Sequence, residues 1–103
     1  TFIESKRTLA LKYKSLFQKV GLDFIHEPEN TLSNYWLNAV LFKSREERDA
    51  FLTYSNDKKI MTRPVWNLMT ELEMFKNCIR TEMNSAKSIA DRLVNLPSSP
   101  LIK

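Results

Sequence analysis

Asn34-Tyr35-Trp36-Leu37-Asn38-Ala39-Val40-Leu41-Phe42 is the stretch on which the fold turns. It is aromatic and in part β-branched, and it carries large apolar groups at both odd and even positions. That pattern predicts a strand covered on both faces. A chain of 103 residues has the length of one domain. Such a chain has few elements to lay on both sides of a sheet, so one face of this strand is read as available to another domain.

Working outward, residues 3–20 carry Leu9, Tyr13, Leu16, Phe17 and Val20 within one sector at helical pitch, and Gly21 follows where a C-terminal cap belongs. Leu11 points away from that stripe. Residues 22–25 are expected to add a short strand, and His26-Glu27-Pro28-Glu29-Asn30 to form a loop. Downstream, Ser44-Arg45-Glu46-Glu47 has the spacing of a capping box. Glu47, Ala50, Phe51 and Tyr54 then share a face, which predicts a helix to residue 57. Residues 59–63 read as a second strand ended by Pro64. Residues 65–75 are apolar for a loop, and Thr70-Glu71-Leu72-Glu73 offers a cap for a helical turn. A last helix opens near Asn84, buries Ala86, Ile89, Ala90, Leu93 and Val94, and is stopped by Asn95-Leu96-Pro97-Ser98-Ser99-Pro100. The expected fold class is α+β, with a small, mostly antiparallel sheet on 34–42 and 59–63 flanked by helices.

Composition removes several chemistries. A single glycine leaves no glycine-rich phosphate cradle. One cysteine, Cys78, excludes an internal disulfide, and with the one histidine, His26, it cannot build an ordinary zinc site. A reducing, cytoplasmic setting is the expectation, and Cys78 is expected to be a small buried apolar residue. His26 has no serine motif near it and reads as structural or solvated. Glu46, Glu47 and Asp49 read as a solvated acidic helix start. No apolar run reaches the ~18 residues of a membrane span. The net charge of +4 is mild, and Lys6, Arg7, Lys12, Lys14 and Lys19 spread around the first helix rather than forming one basic face. The start at Thr1, without methionine, looks like a chain cut from something longer. No catalytic, cofactor-binding or metal-binding residue is assigned.

One segment resists a purely structural reading. In Thr62-Arg63-Pro64-Val65-Trp66, an arginine sits at a strand end before a rigid proline and an aromatic residue. Its planar fork suits a carboxylate or phosphate, and Trp66 can bury area while keeping its indole N–H for one bond. The plainer alternative is that Arg63 pairs with a surface acid and Trp66 is local core.

Thr62-Arg63-Pro64-Val65-Trp66-Asn67-Leu68-Met69, preceded by Asn34-Tyr35-Trp36-Leu37-Asn38 and followed by Asn95-Leu96-Pro97-Ser98-Ser99, resembles the C-terminal third of the DegT-type sugar aminotransferases, and within them the LegC-like branch. Arg7 and Tyr13 lie at the spacing of that family's helix, so the resemblance covers nearly the whole chain. It implies the C-terminal small domain of a PLP-dependent aminotransferase, residues 1–103 forming that single domain with the large PLP-binding domain absent. The parent would act on a 4-keto-6-deoxy nucleotide sugar in cell-surface polysaccharide or nonulosonic acid biosynthesis, typically with glutamate as amino donor. Pyridoxal phosphate would be held by the large domain and not by these residues. The resemblance further implies substrate contacts from Asn34, Arg63 and Trp66, the large domain of the same polypeptide as partner, a homodimeric parent, and neither nucleic acid nor membrane as partner. Residues 65–75 would form an inter-domain or dimer surface. Two rivals stand beside this: a protein-docking module using Trp36, Trp66 and the methionines, and a weak single-stranded nucleic acid binder.

Overall fold

The computed structural model describes residues 1–100. Its elements run α1 (Phe2–Lys19), β1 (Asp23–Phe24), β2 (Asn38–Leu41), α2 (Arg45–Asp57), β3 (Arg63–Pro64), α3 (Asn84–Arg92) and β4 (Leu93–Leu96). The four strands form one sheet in the order β1-β2-β4-β3, every neighbouring pair antiparallel. The α+β class with an antiparallel sheet is therefore as the sequence predicts.

Helix α1 begins at a capping box: Thr1 Oγ1 accepts from the Glu4 amide while the Glu4 carboxylate receives the Thr1 amine. It ends at Gly21, whose φ of 76° lets the Leu22 amide reach back to the Phe17 carbonyl and the Gly21 amide to that of Gln18. The inward face is set by Ala10 and Phe17, with Tyr13 partly buried; Leu16 and Val20, placed in the apolar stripe by their spacing, are exposed. The core sector is thus rotated from the sequence-predicted one, because Lys6 and Arg7 lie beside it and are held by polar contacts.

The predicted strand over 34–42 is shortened to β2. Ser33 Oγ accepts from the Tyr35 amide and Asn34 Oδ1 from the Trp36 amide, removing two donors from any ladder, and Tyr35 takes a left-handed φ of 46°. Alternation within the sheet is regular. Asn38, Val40 and Phe42 from β2 and its end, with Val94 and Leu96 from β4, are buried toward the helices; Ala39, Leu41, Leu93 and Asn95 turn the other way and are only partly buried. Val40 and Val94 face each other across the central pair at 0% exposure. Phe24, Phe42 and Phe51 extend this core, with the Phe42 and Phe51 rings 4.9 Å apart.

Helix α2 is capped by Ser44 Oγ, which accepts from the Glu47 amide at 3.1 Å. Its inward residues include Arg48 and Ser55, while Ala50 and Tyr54, which share a face by their spacing, are exposed. The helix closes as α1 does, with the Ile60 amide bonding the Ser55 carbonyl and the Lys59 amide that of Asn56. Here the left-handed position is Lys59, φ 63°. That closure takes residues 59 and 60 out of the predicted strand, which starts only at Arg63.

Residues 65–75 contain two short 3₁₀ turns, Met69–Glu71 and Glu73–Phe75. Cys78 comes after them and is exposed, not buried as predicted, because it lies in loop rather than under a helix. The last helix stops at Arg92, and Leu93 and Val94, predicted to lie within it, instead open β4 with no intervening loop. Ile89, read as a core residue, is exposed, and Ala86 and Ala90 are half-buried. No helix among the described residues is long and apolar enough to cross a membrane.

Candidate functional site

The register divides the predicted site residues between the two ends of the sheet. Asn38 opposes Leu96, and Arg63 opposes Asn95, so the turn before β2, the start of β3 and the segment after β4 share one end. Asn34 and Arg63 belong to it. At this end Lys6 Nζ donates to the carbonyls of Trp36 (3.3 Å) and Ser98 (2.6 Å), and the Tyr13 hydroxyl donates to that of Pro97 (2.8 Å). These bonds tie α1 to the rim. Trp36 stands out from it at 69% exposure.

Trp66 lies at the other end, since the Val65 amide bonds the Leu93 carbonyl as the chain leaves the sheet. It is 67% exposed and is not local core. It lines a cleft of about 430 Å³ with Arg45, Leu68, Glu71, Lys87 and Asp91. The cleft's cations are largely engaged: Arg45 lies 3.5 Å from Asp91, and Arg48 donates to Asp49 and to the Ala90 carbonyl.

Arg63 pairs with no acid among the described residues. Its Nη1 donates to Asn56 Oδ1 at 2.8 Å and to the Thr62 carbonyl at 2.7 Å. Nε and Nη2 remain free, which among the described residues is true of no other arginine. Arg7, Arg45 and Arg48 pair with carboxylates, Arg92 donates Nε and Nη2 to Ser88, and Arg80 donates Nη2 to a carbonyl. The free Nε–Nη2 edge is the one that can meet two oxygens of a carboxylate or phosphate side-on. Asn34 keeps its Nδ2 amide to donate, since only its Oδ1 is used in the turn.

The loop behind Asn34 is fixed by a charged cluster. Arg7 is bidentate to Glu27 at 2.9 and 2.8 Å and also donates to the Ser33 carbonyl, while Glu27 accepts from the Ser33 amide. The Arg7 guanidinium and, next, the Ser33 amide hold the Glu27 carboxyl down at about 2. Tyr35 lies beneath Arg7, 5.6 Å from its ring centroid, and its hydroxyl accepts from the Glu27 amide. Lys6 and Asn56 were not among the residues the sequence singled out as site contacts, and Trp36 entered only in the resemblance motif and in the alternative of a docking patch. Asn56 lies seven residues from Arg63 across a helix end, a separation with no periodic signature. His26 is exposed, and no group of histidine, cysteine or acidic side chains that could hold a metal occurs among the described residues.

The architecture is one found within aminotransferases. It superposes on the aminotransferase TlmJ from Streptoalloteichus hindustanus with a TM-score of 0.85 at 19% identity, covering 99% of this chain and 28% of that one. The sugar aminotransferase CalS13 from Micromonospora echinospora gives 0.84 at 17% identity, over 99% and 27%. Residues 1–103 match the DegT/DnrJ/EryC1/StrS aminotransferase family, and the chain belongs to it. It is also 31% identical over 100 residues to GDP-perosamine synthase of Escherichia coli O157:H7, covering 96% of this chain and 27% of that protein. The chain thus spans about a quarter of the length of the curated relative it matches.

Proposed function

We propose that the chain is the C-terminal small domain of a LegC-like, PLP-dependent aminotransferase, whose substrate is a 4-keto-6-deoxy nucleotide sugar of cell-surface polysaccharide or nonulosonic acid biosynthesis. Its part is to complete the substrate cleft and to pack on the large domain of the same polypeptide. The observation that carries this reading is Arg63, an arginine with no acid partner and an open side-on edge among the described residues. Sugar nucleotides and amino donors both bring planar or tetrahedral two-oxygen anions. Asn34 Nδ2 is the accompanying donor at the same end. Trp66, at the opposite end, is assigned to the wall of its own cleft against the rest of the polypeptide. The partly buried sheet face of Ala39, Leu41 and Leu93 supports packing on the large domain, and exposed Trp66, Met69 and Met74 support an inter-domain or homodimer surface.

Bound pyridoxal phosphate would supply the electron sink for amino transfer. The lining of the cleft by Trp66 does not fit that group. It needs an amine for the Schiff base and separate partners for a phosphate. In the cleft by Trp66 the arginines are engaged by Asp49, Asp91 and the Ala90 carbonyl, leaving Lys87 as the one cation of the cleft without a side-chain partner among the described residues. One ammonium cannot serve both ends of the cofactor. The family resemblance assigns the lysine and the phosphate cradle to the large domain.

Arg63→Ala in the full-length enzyme is expected to lower kcat/KM by about tenfold to a hundredfold, as loss of a charge-assisted bidentate contact does. Cofactor absorbance should be unchanged. Unaltered kinetics for both amino donor and nucleotide sugar would refute the assignment.

A further inference from the structure

We infer that Asn56 is a positioning residue: its side chain fixes the plane of the Arg63 guanidinium so that the Nε–Nη2 edge is presented to a two-oxygen anion of the substrate. This rests on the reading of Arg63 as a substrate contact.

The Asn56 side chain bridges two elements. Near the end of α2, Nδ2 donates to the Leu52 carbonyl at 2.7 Å, one turn back in its own helix. The same nitrogen reaches Thr62 Oγ1 at 3.1 Å and the Thr62 carbonyl at 3.2 Å, at the threshold of β3. With its nitrogen held by acceptors, the amide turns Oδ1 outward, and Oδ1 takes Arg63 Nη1. The reverse orientation would set an NH₂ against the guanidinium and an oxygen against two carbonyls, so the chemistry admits one rotamer. Nη1 carries two hydrogens, and the second goes to the Thr62 carbonyl. Both being engaged, rotation of the guanidinium plane about the Cδ–Nε bond is stopped. A free arginine on a surface loses rotamer freedom when it binds; one already held at a single nitrogen loses less.

The anchor below is buried. Thr62 is 1% exposed and Ser55 3%, and their hydroxyl oxygens lie 2.5 Å apart. The clip therefore rests on a fixed point rather than a mobile surface. A carboxylate from the amino donor and a phosphate from the nucleotide sugar present the same pair of oxygens to this edge, and kinetics separate them.

The test is a double-mutant cycle in the full-length enzyme, with KM measured separately for L-glutamate and for a 4-keto-6-deoxy nucleotide sugar. Asn56→Ala should raise one of these KM values about three- to tenfold with kcat little changed, less than Arg63→Ala does because the arginine itself remains; this is the range of one ordinary hydrogen bond. In an Arg63→Ala background the same change should have no further effect on KM, because the arginine it positions is gone. Asn56→Gln keeps the amide but moves its oxygen by one methylene; it should behave like Asn56→Ala and serves if the alanine variant does not fold. A rise in the glutamate KM assigns the edge to the donor carboxylate, and a rise in the sugar-nucleotide KM to phosphate. If Arg63→Ala changes KM but Asn56→Ala does not, or the two effects add, the positioning role is wrong and the Arg63 assignment stands. If Arg63→Ala changes nothing, both fall.

Discussion

The hydroxyl pair beneath Arg63 gives a prediction with an internal order. Ser55 Oγ lies 2.7 Å from the Phe51 carbonyl and 2.5 Å from Thr62 Oγ1, and Thr62 Oγ1 also receives Asn56 Nδ2 at 3.1 Å. Hydrogen counting then sets a direction. Ser55 donates to Phe51, Thr62 donates to Ser55, and Asn56 donates to Thr62. The two deletions are therefore unequal. Thr62→Val leaves Ser55 bonded to Phe51 and Asn56 bonded to Leu52, so no donor is stranded; one net hydrogen bond or two is lost against one buried methyl gained, and the cost should be about 1 kcal/mol. Ser55→Ala strands the Thr62 O–H at a site 1% exposed; a buried donor without an acceptor should bring the cost to about 2–3 kcal/mol. The double variant removes the stranded group, so adding Thr62→Val to Ser55→Ala should be close to neutral, a coupling of about 1 kcal/mol. Urea unfolding of the four proteins, followed by far-ultraviolet circular dichroism, measures each corner. If Thr62→Val proves worse than Ser55→Ala, or the two add to within about 0.3 kcal/mol, the proton order is wrong.

Three further outcomes concern a loop carboxylate and the ends of two helices. Glu27, held at about 2 against an ordinary 4.5, contributes stability that is complete above pH 4.5 and lost as the pH falls toward 2. Glu27→Gln should therefore be the less stable form near neutrality and converge on the parent by pH 2; urea midpoints that run parallel from pH 6 to pH 2 would contradict this. Lys59 occupies the left-handed position that Gly21 fills at the end of α1, with φ of 63° and 76°. Lys59→Gly should raise the thermal midpoint, by about 0.5–1 kcal/mol of stability, and Gly21→Ala should lower it by about 1 kcal/mol although nothing lies within 4 Å of the added methyl. Equal midpoints for the Lys59 pair would show that the lysine is unstrained there.

What the sequence made legible was what local rules decide. Gly21 ends α1 and Ser44 opens α2 because a positive φ and an N-cap oxygen are properties of single residues. The strand at 38–41 was also readable, with Asn38 and Val40 buried on one face and Ala39 and Leu41 partly buried on the other. The misreadings fall where side chains compete for backbone groups. Ser33 and Asn34 capture two amides and convert half of a predicted strand into a turn. At β4, Leu93 and Val94 follow Ile89 and Ala90 at helical spacing, so periodicity extends the helix across them. The sheet decides otherwise: Val94 fills the gap opposite Val40, and a strand between β2 and β3 is needed to join them. That is long-range pairing overriding a local pattern, and no window of neighbouring residues contains it.

The site was half legible for the same reason. An arginine before a proline can be seen in a sequence, but whether its charge is free depends on every acid that folding brings near. Among the described residues none pairs with it, and the close of α2 directs the path of the next few residues. The Ile60 amide returns to Ser55 and the Lys59 amide to Asn56, so the chain doubles back along the helix end. That places Thr62 beside Ser55 in the core and Arg63 beside the side chain of Asn56 rather than beside a carboxylate. A capping motif thus sets the position of the proposed anion contact, a few residues past its last bond.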